Sequence, residues 1–230
     1  MAGEIPEFIE CLTRDHRVLI LGGLAVIAHG RDRHTKDADI WLEPMESSSV
    51  WASVVARTCG RFNSATIHRL PGWSEISGEE IAQAVDDTGV IRILGLGQPL
   101  DIFRRPNEFD ELAFDDVIGR AQKSEDGTYL PDPLDLLQSK LDTTRDKDQQ
   151  DIFHLEHVTR RRYFDRLPTA TLAEATEMLD RFADWQVLRV ALGNPDPAVQ
   201  ALARRHLEEF AEAGDPFSQA ILAGRPIPGE

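Results

Sequence analysis

Cysteine, positive charge and long apolar runs are scarce in this 230-residue sequence. The two cysteines, Cys11 and Cys59, have no partner at metal-ligand spacing, which argues against a disulfide framework or a zinc site and predicts two buried free thiols. No apolar run approaches the roughly 20 residues needed to span a bilayer. The opening MAGEIPEFIE is acidic where a secretory signal would be basic and then apolar, so a cytoplasmic protein with no membrane partner is expected. Lys and Arg number 25 against 40 Asp and Glu, for a net charge of −15. Nucleic-acid binding neutralises phosphates with Lys and Arg, so a chain this acidic is poorly suited to extended DNA binding. The densest basic stretch, Arg160, Arg161 and Arg162, falls in a helical segment and reads as a solvated helix face.

At 41% hydrophobic, the chain can bury a core, and its length suits one domain with an appendage or two small domains. Residues 5–12 predict a short helix, and RVLILGG predicts a buried strand closed by glycines. LAVIAHG follows as a helix that starts at Gly22-Gly23 and stops at Gly30. DADIWLE has the period of a half-buried strand, with Asp37, Asp39 and Trp41 on one face and Ala38, Ile40 and Leu42 on the other. MESSSVWASVVARTCG predicts an amphipathic helix ended by Gly60, and Ser77 with Glu80 predicts a capping box opening another. VIRILGL and PLDIFRR read as strands joined by a turn at Gly95 and Gly97. Two helices are expected over 131–164, one opening at Pro133, and only helices after Thr169, two of them starting at Asp196-Pro197 and Asp215-Pro216. This order predicts an α/β or α+β core with a mixed sheet over 1–165 and a helical C-terminal region over 166–230.

Two carboxylates two residues apart on a strand point the same way, an expensive arrangement unless positive charge sits between them. Hard Mg²⁺ takes a few carboxylates together with phosphate oxygens, so Asp37 and Asp39 beside a glycine turn suit a metal–triphosphate. Gly22 and Gly23 would let backbone N–H groups approach the phosphates, and Arg31, Arg33 and Lys36 would add charge. A third acid, Asp101 in LDIF, would converge with the pair if its strand lies beside theirs, as two-metal phosphoryl-type transfer requires. His29 and His34 flank the basic loop without a defined partner, and His68 and Trp73 lie in a middle segment with no clear pattern.

Gly22-Gly23, thirteen intervening residues, then Asp37-Ala38-Asp39-Ile40 resembles the signature of the polymerase-β-like nucleotidyltransferase superfamily, with Asp101 where its third acid belongs. Downstream, Lys140-Leu-x-x-x-Arg145-x-Lys147-Asp148-x-x-Asp151 is similar to a segment of the minimal nucleotidyltransferases of the AbiEii/AbiGii toxin group and their bacterial relatives. The resemblance covers roughly residues 15–155. It implies that Asp37, Asp39 and Asp101 hold Mg²⁺ or Mn²⁺, and that Asp101 helps deprotonate the acceptor. It also implies that Gly22, Gly23, Arg33, Thr35, Lys36 and Arg145 contact the NTP, that Lys140 steadies its triphosphate and that Asp148 orients Lys140 or Arg145. Many members carry Gly-Ser at the turn, and here the serine hydroxyl is absent.

The implied activity is transfer of NMP from NTP to an acceptor hydroxyl or phosphate, in a toxin–antitoxin or phage-defence setting. The acceptor is open among a protein, a small molecule and an RNA end. Two alternatives share the core: a catalytically silent nucleotide-binding or interaction module, and a small-molecule nucleotidyltransferase of the antibiotic-resistance type. The C-terminal helices fit an acceptor cleft, a dimer interface or a docking surface for a cognate antitoxin.

Overall fold

A computed structural model describes residues 4–106, 109–110, 113–141 and 145–229. Two compact units are distinguished, Met1–Leu155 and Glu156–Glu230. In the first, the helices are α1 (Ile5–Thr13), α2 (Gly22–Ala28), α3 (Ser48–Cys59), α4 (Glu79–Thr88), α5 (Ala113–Arg120), α6 (Pro133–Gln138) and the start of α7 (Asp146–Arg166). The strands are β1 (Val18–Ile20), β2 (Ala38–Leu42), β3 (Thr66–Arg69), β4 (Ser74–Glu75), β5 (Val90–Leu94), β6 (Leu100–Phe103), β7 (Gln122–Lys123) and β8 (Tyr129–Leu130). They form one mixed sheet in the order β4-β3-β5-β6-β2-β1-β8-β7. β2 runs parallel to β6 and β1 parallel to β8, and the remaining pairs are antiparallel.

Side-chain alternation along the central strands feeds two cores, one on each face of the sheet. Ala38, Ile40 and Leu42 join Phe8 and Leu12 of α1, Trp51 and Val55 of α3 and Ile81 of α4. Trp41 turns the other way, to Leu19, Leu21, Val26 of α2, Phe114 of α5 and Leu136 of α6. β2 is therefore buried on both faces rather than half-buried as its alternation predicts: Ile40, Trp41 and Leu42 are all 0% exposed, and Asp39 is the residue that keeps some access to solvent. A central strand that carries an acid on an otherwise apolar face marks where that face stops being core and becomes a site.

Local signals place most helix ends. Ser47 accepts from the Val50 amide and starts α3, so this helix begins three residues later than the Met45 expected from the pattern, and Gly60 ends it. Asp132 caps α6 ahead of Pro133. At α4 only half of the expected capping box forms: Glu80 accepts from the Ser77 amide at 3.2 Å, while Gly78, at φ +58°, takes the cap position. Gly95 and Gly97 do make a turn between β5 and β6, both with positive φ. Cys59 is buried as expected, but Cys11 is only half-buried.

The second unit is helical, with α8 (Leu172–Arg181), α9 (Trp185–Ala191), α10 (Pro197–Glu212) and α11 (Pro216–Leu222) after the end of α7. Thr171 and Glu174 complete a capping box on α8. The side chain of Asp184 accepts from Val187 N–H, which opens a new helix where the pattern runs on. Both Asp-Pro starts are capped by the aspartate, though at different amides: Asp196 accepts from Ala198, two residues on, and Asp215 from Ser218, three residues on. Arg160 does not lie on a solvated face. It donates to Asp184 at 2.6 Å and approaches Glu156 at 3.8 Å, all within this unit. Among the described residues, no helix is long and apolar enough to cross a membrane.

Candidate functional site

Strand register assembles the acids. Asp39 of β2 lies directly opposite Asp101 of β6, Asp101 opposite Arg92 of β5, and Arg92 opposite His68 of β3. Opposed residues share a face, so His68, Arg92, Asp101 and Asp39 form one polar row across four strands, on the same face as Trp41 and Phe103. The expectation that the Asp101 strand neighbours the strand of the acid pair is met, through a parallel pairing. Asp37 precedes β2 by one residue and is half-buried. The Thr35 hydroxyl lies 3.0 Å from its carbonyl and 3.2 Å from its Oδ1.

Each glycine of the pair answers to one residue of this loop and strand. Gly22 opens α2 at φ +55°, and a Cβ there would fall inside the carboxylate of Asp39. A Cβ on Gly23 would sit 2.6 Å from Thr35 Oγ1 and 2.9 Å from Thr35 Cβ. The Leu21 amide donates to the Asp39 carbonyl at 2.8 Å, which ties the turn to the strand. The glycines thus bring the start of α2 against Asp39 and Thr35 at a separation that no side chain would permit.

Charge is unevenly balanced along the row. Burial, and then the neighbouring charges of Asp37 and Asp101, push the Asp39 carboxyl up to about 6, against the pull of Lys140 and Arg92. Asp101 is held differently. Arg92 Nε and Nη2 donate to its two carboxylate oxygens at 2.6 and 2.7 Å, a bidentate pair. The guanidinium also lies 4.1 Å from the centre of the Trp73 ring.

The downstream segment closes the site from the other side. Lys140 Nζ lies 3.2 Å from Asp148 and 3.0 Å from Asp151, and Arg145 donates to Asp148 at 2.6 Å. Burial works to raise the Asp148 pKa, but Arg145 and Lys140 outweigh it and hold the carboxyl below its ordinary value. Asp151, fully buried, also receives Arg31 and Arg33 from the basic loop. Four cations thus converge on two carboxylates opposite the acids. Leu21, Gly22, Asp39, Phe103, Lys140, Arg145 and Asp148 line one cleft of about 140 Å³. Pockets that engulf a drug-sized ligand run to roughly 300–1,000 Å³, so this cleft is small by comparison.

Of the residues expected from the sequence, Gly22, Asp39, Lys140, Arg145 and Asp148 meet at the cleft, and Asp37 and Asp101 flank Asp39. Gly23 and Thr35 support the turn, Arg33 is committed to Asp151, and Lys36 and His34 are exposed. His29 lies 2.9 Å from the Pro131 carbonyl through its Nε2, away from the acids. Arg92 escapes the sequence reading, since it announces itself only as a charge between Ile91 and Ile93 in a strand; Asp151 closes the downstream motif but has no role assigned from sequence, and it sits one helical turn after Asp148, on the same face.

The donor chemistry suits a hard cation, since three carboxylates lie on adjacent chain segments and the central one is destabilised as an anion by burial and then by the other two. Among the described residues no three His, Cys, Asp or Glu side chains are gathered at metal-binding geometry; Asp101 is turned onto Arg92. No protein-family model matches this chain, and no curated protein matches it.

Proposed function

We propose that the cleft holds the phosphate end of an NTP and that the protein is a nucleotidyltransferase, moving NMP to an acceptor and releasing pyrophosphate. The observation that carries this reading is the convergence on Asp39 of two segments a hundred residues apart in sequence: the Gly22–Asp39 turn and the Lys140–Asp148 pair line the same cleft. A solvated acid on a strand face has no need of either.

Asp37 and Asp39, with Asp101, would hold Mg²⁺ or Mn²⁺, which when bound supplies charge neutralisation and orientation of phosphate oxygens. Lys140, positioned by Asp148 and Asp151, lines the cleft and would serve as the fixed cation for the triphosphate. Arg145, exposed at the rim, adds a second. Asp101, once released by Arg92, would accept the proton of an acceptor hydroxyl as its oxygen bonds to the α-phosphorus and the bond to pyrophosphate breaks. Leu21 and Phe103 supply apolar walls to the cleft.

One observation favours a second reading, a silent nucleotide-binding module: Asp101 is fully engaged by Arg92. Incubation with each α-labelled NTP, Mg²⁺ and a cell extract separates the two. Transfer of label to RNA, protein or a small molecule supports the enzyme and identifies the acceptor class; saturable NTP binding without transfer supports the module. A toxin–antitoxin role follows the resemblance alone and is tested by whether expression arrests growth in a manner that Asp39→Asn abolishes.

A further inference from the structure

The Arg92–Asp101 pair is more than a cross-strand ion pair because of what lies on each side of it. On one side stand Asp39 and Asp37, so the Arg92 guanidinium is a counter-charge to the acid cluster within the sheet. On the other side the guanidinium rests on Trp73, at 4.1 Å from the ring centre. Trp73 is itself held in an unusual place. Its backbone has φ +52°, a costly conformation for a residue with a side chain, and His68 Nδ1 lies 2.7 Å from its carbonyl while His68 Nε2 lies 2.8 Å from the Thr66 hydroxyl.

We propose that Arg92 and Trp73 form a counterion latch on Asp101: the guanidinium occupies both carboxylate oxygens while no divalent cation is bound, and surrenders them when one binds beside Asp37 and Asp39. This rests on the nucleotidyl-transfer reading and adds a positioning pair to it. An incoming cation attracts Asp101 and repels the guanidinium, so both forces on the pair point toward opening. The Arg92 side chain is 21% exposed, which leaves it a path toward solvent, and the indole offers a second favourable contact that does not depend on Asp101. Release therefore moves the positive charge along the face of Trp73 and leaves the carboxylate to the site. A purely structural pair would remain closed when the cation binds.

Mg²⁺ and Ca²⁺ titrations of the purified full chain test this by calorimetry and by tryptophan fluorescence. The variants are Arg92→Met, Arg92→Lys, Trp73→Phe and Asp39→Asn. Of the four tryptophans, Trp41 and Trp51 are fully buried, and Trp73→Phe removes the indole that lies against Arg92. The latch predicts a fluorescence change on cation binding that disappears in Trp73→Phe. It also predicts cation affinity about tenfold tighter in Arg92→Met, since removing a neighbouring opposite charge shifts a carboxylate site by about one such factor or more. Arg92→Lys, which keeps the charge but loses the two-pronged contact, is expected to fall between. Affinity in Arg92→Met no tighter than wild type overturns the latch, and if that variant fails to fold, unchanged affinity in Arg92→Lys does so. Binding that depends on Asp39 but is indifferent to Arg92 removes the latch alone, whereas equal or absent binding in wild type and Asp39→Asn removes the nucleotidyl-transfer reading with it.

Discussion

Gly22 and Asp39 are packed so closely that a single methyl group on Gly22 would occupy the space of the Asp39 carboxylate. Gly22→Ala would therefore bear two penalties, a left-handed backbone at φ +55° that costs an L-residue roughly 1–2 kcal/mol and the displacement of an acid at the cleft. Urea denaturation is expected to show a loss of about 1–3 kcal/mol, and NTP binding should fall more than in Gly30→Ala, where a Cβ meets nothing within 4 Å despite a positive φ.

Asp39 makes stability depend on pH in a direction opposite to that of a salt-bridged acid. Burial, helped by Asp37 and Asp101, raises its carboxyl from 3.8 to about 6 in the folded protein. The folded state thus holds a proton that the unfolded chain has released, so Asp39 adds stability below pH 3.8 and loses it between about 3.8 and 6. Asp39→Asn is expected to remove that slope and to raise the apo melting temperature at neutral pH, by a free energy on the order of 1–3 kcal/mol. Mg²⁺ with NTP should then stabilise the wild type more than the variant in thermal melts.

Asp151 anchors the basic loop. Arg31, Arg33 and Lys140 all reach this one fully buried carboxylate, and Asp151→Asn would leave them facing a neutral amide. Breaking a buried ion network from one side costs about 3–5 kcal/mol, measurable by denaturation. Protease cleavage within residues 31–36 should also accelerate. Asp148→Asn is expected to act chiefly on Lys140 and Arg145, lowering NTP affinity with a smaller loss of stability.

For an RNA acceptor the contact would be local. Arg160 is spent on Asp184 and Glu156, which leaves exposed arginines such as Arg161, Arg204 and Arg205 to meet phosphates on a chain of net charge −15. Filter binding across salt is expected to give a slope of log K against log salt of magnitude about 2–3, at roughly 0.7 per phosphate for single strands. A slope several-fold steeper would show that basic residues converge on one face.

Much of the site was legible because its residues sit at fixed chain spacings. The alternation of DADIWLE marked the strand and the common face of Asp39 and Trp41, and an acid inside LDIF marked a strand that lies beside it. What could not be read was pairing across distance. Nothing local tells that Arg92 will be opposite Asp101, since that depends on the β5–β6 register, or that Arg33 will turn from a phosphate-facing role to Asp151. The burial of β2 on both faces likewise depends on α2, α5 and α6 packing over Trp41, a tertiary event with no signature in the strand itself. Short elements such as α5, β7 and β8 lie in a stretch of mixed polarity where no period stands out, and the β3–β4 hairpin carries too few residues for one.

The most direct test of the central claim is label transfer by wild type and Asp39→Asn from NTP labelled at either the α- or the γ-phosphate, in Mg²⁺, with acceptor supplied by extract. The account predicts that α-label enters an acceptor, that γ-label leaves as pyrophosphate, and that Asp39→Asn loses both by a factor of about a thousand or more while remaining folded. Undiminished turnover in the variant, or γ-label appearing on the acceptor, would contradict it.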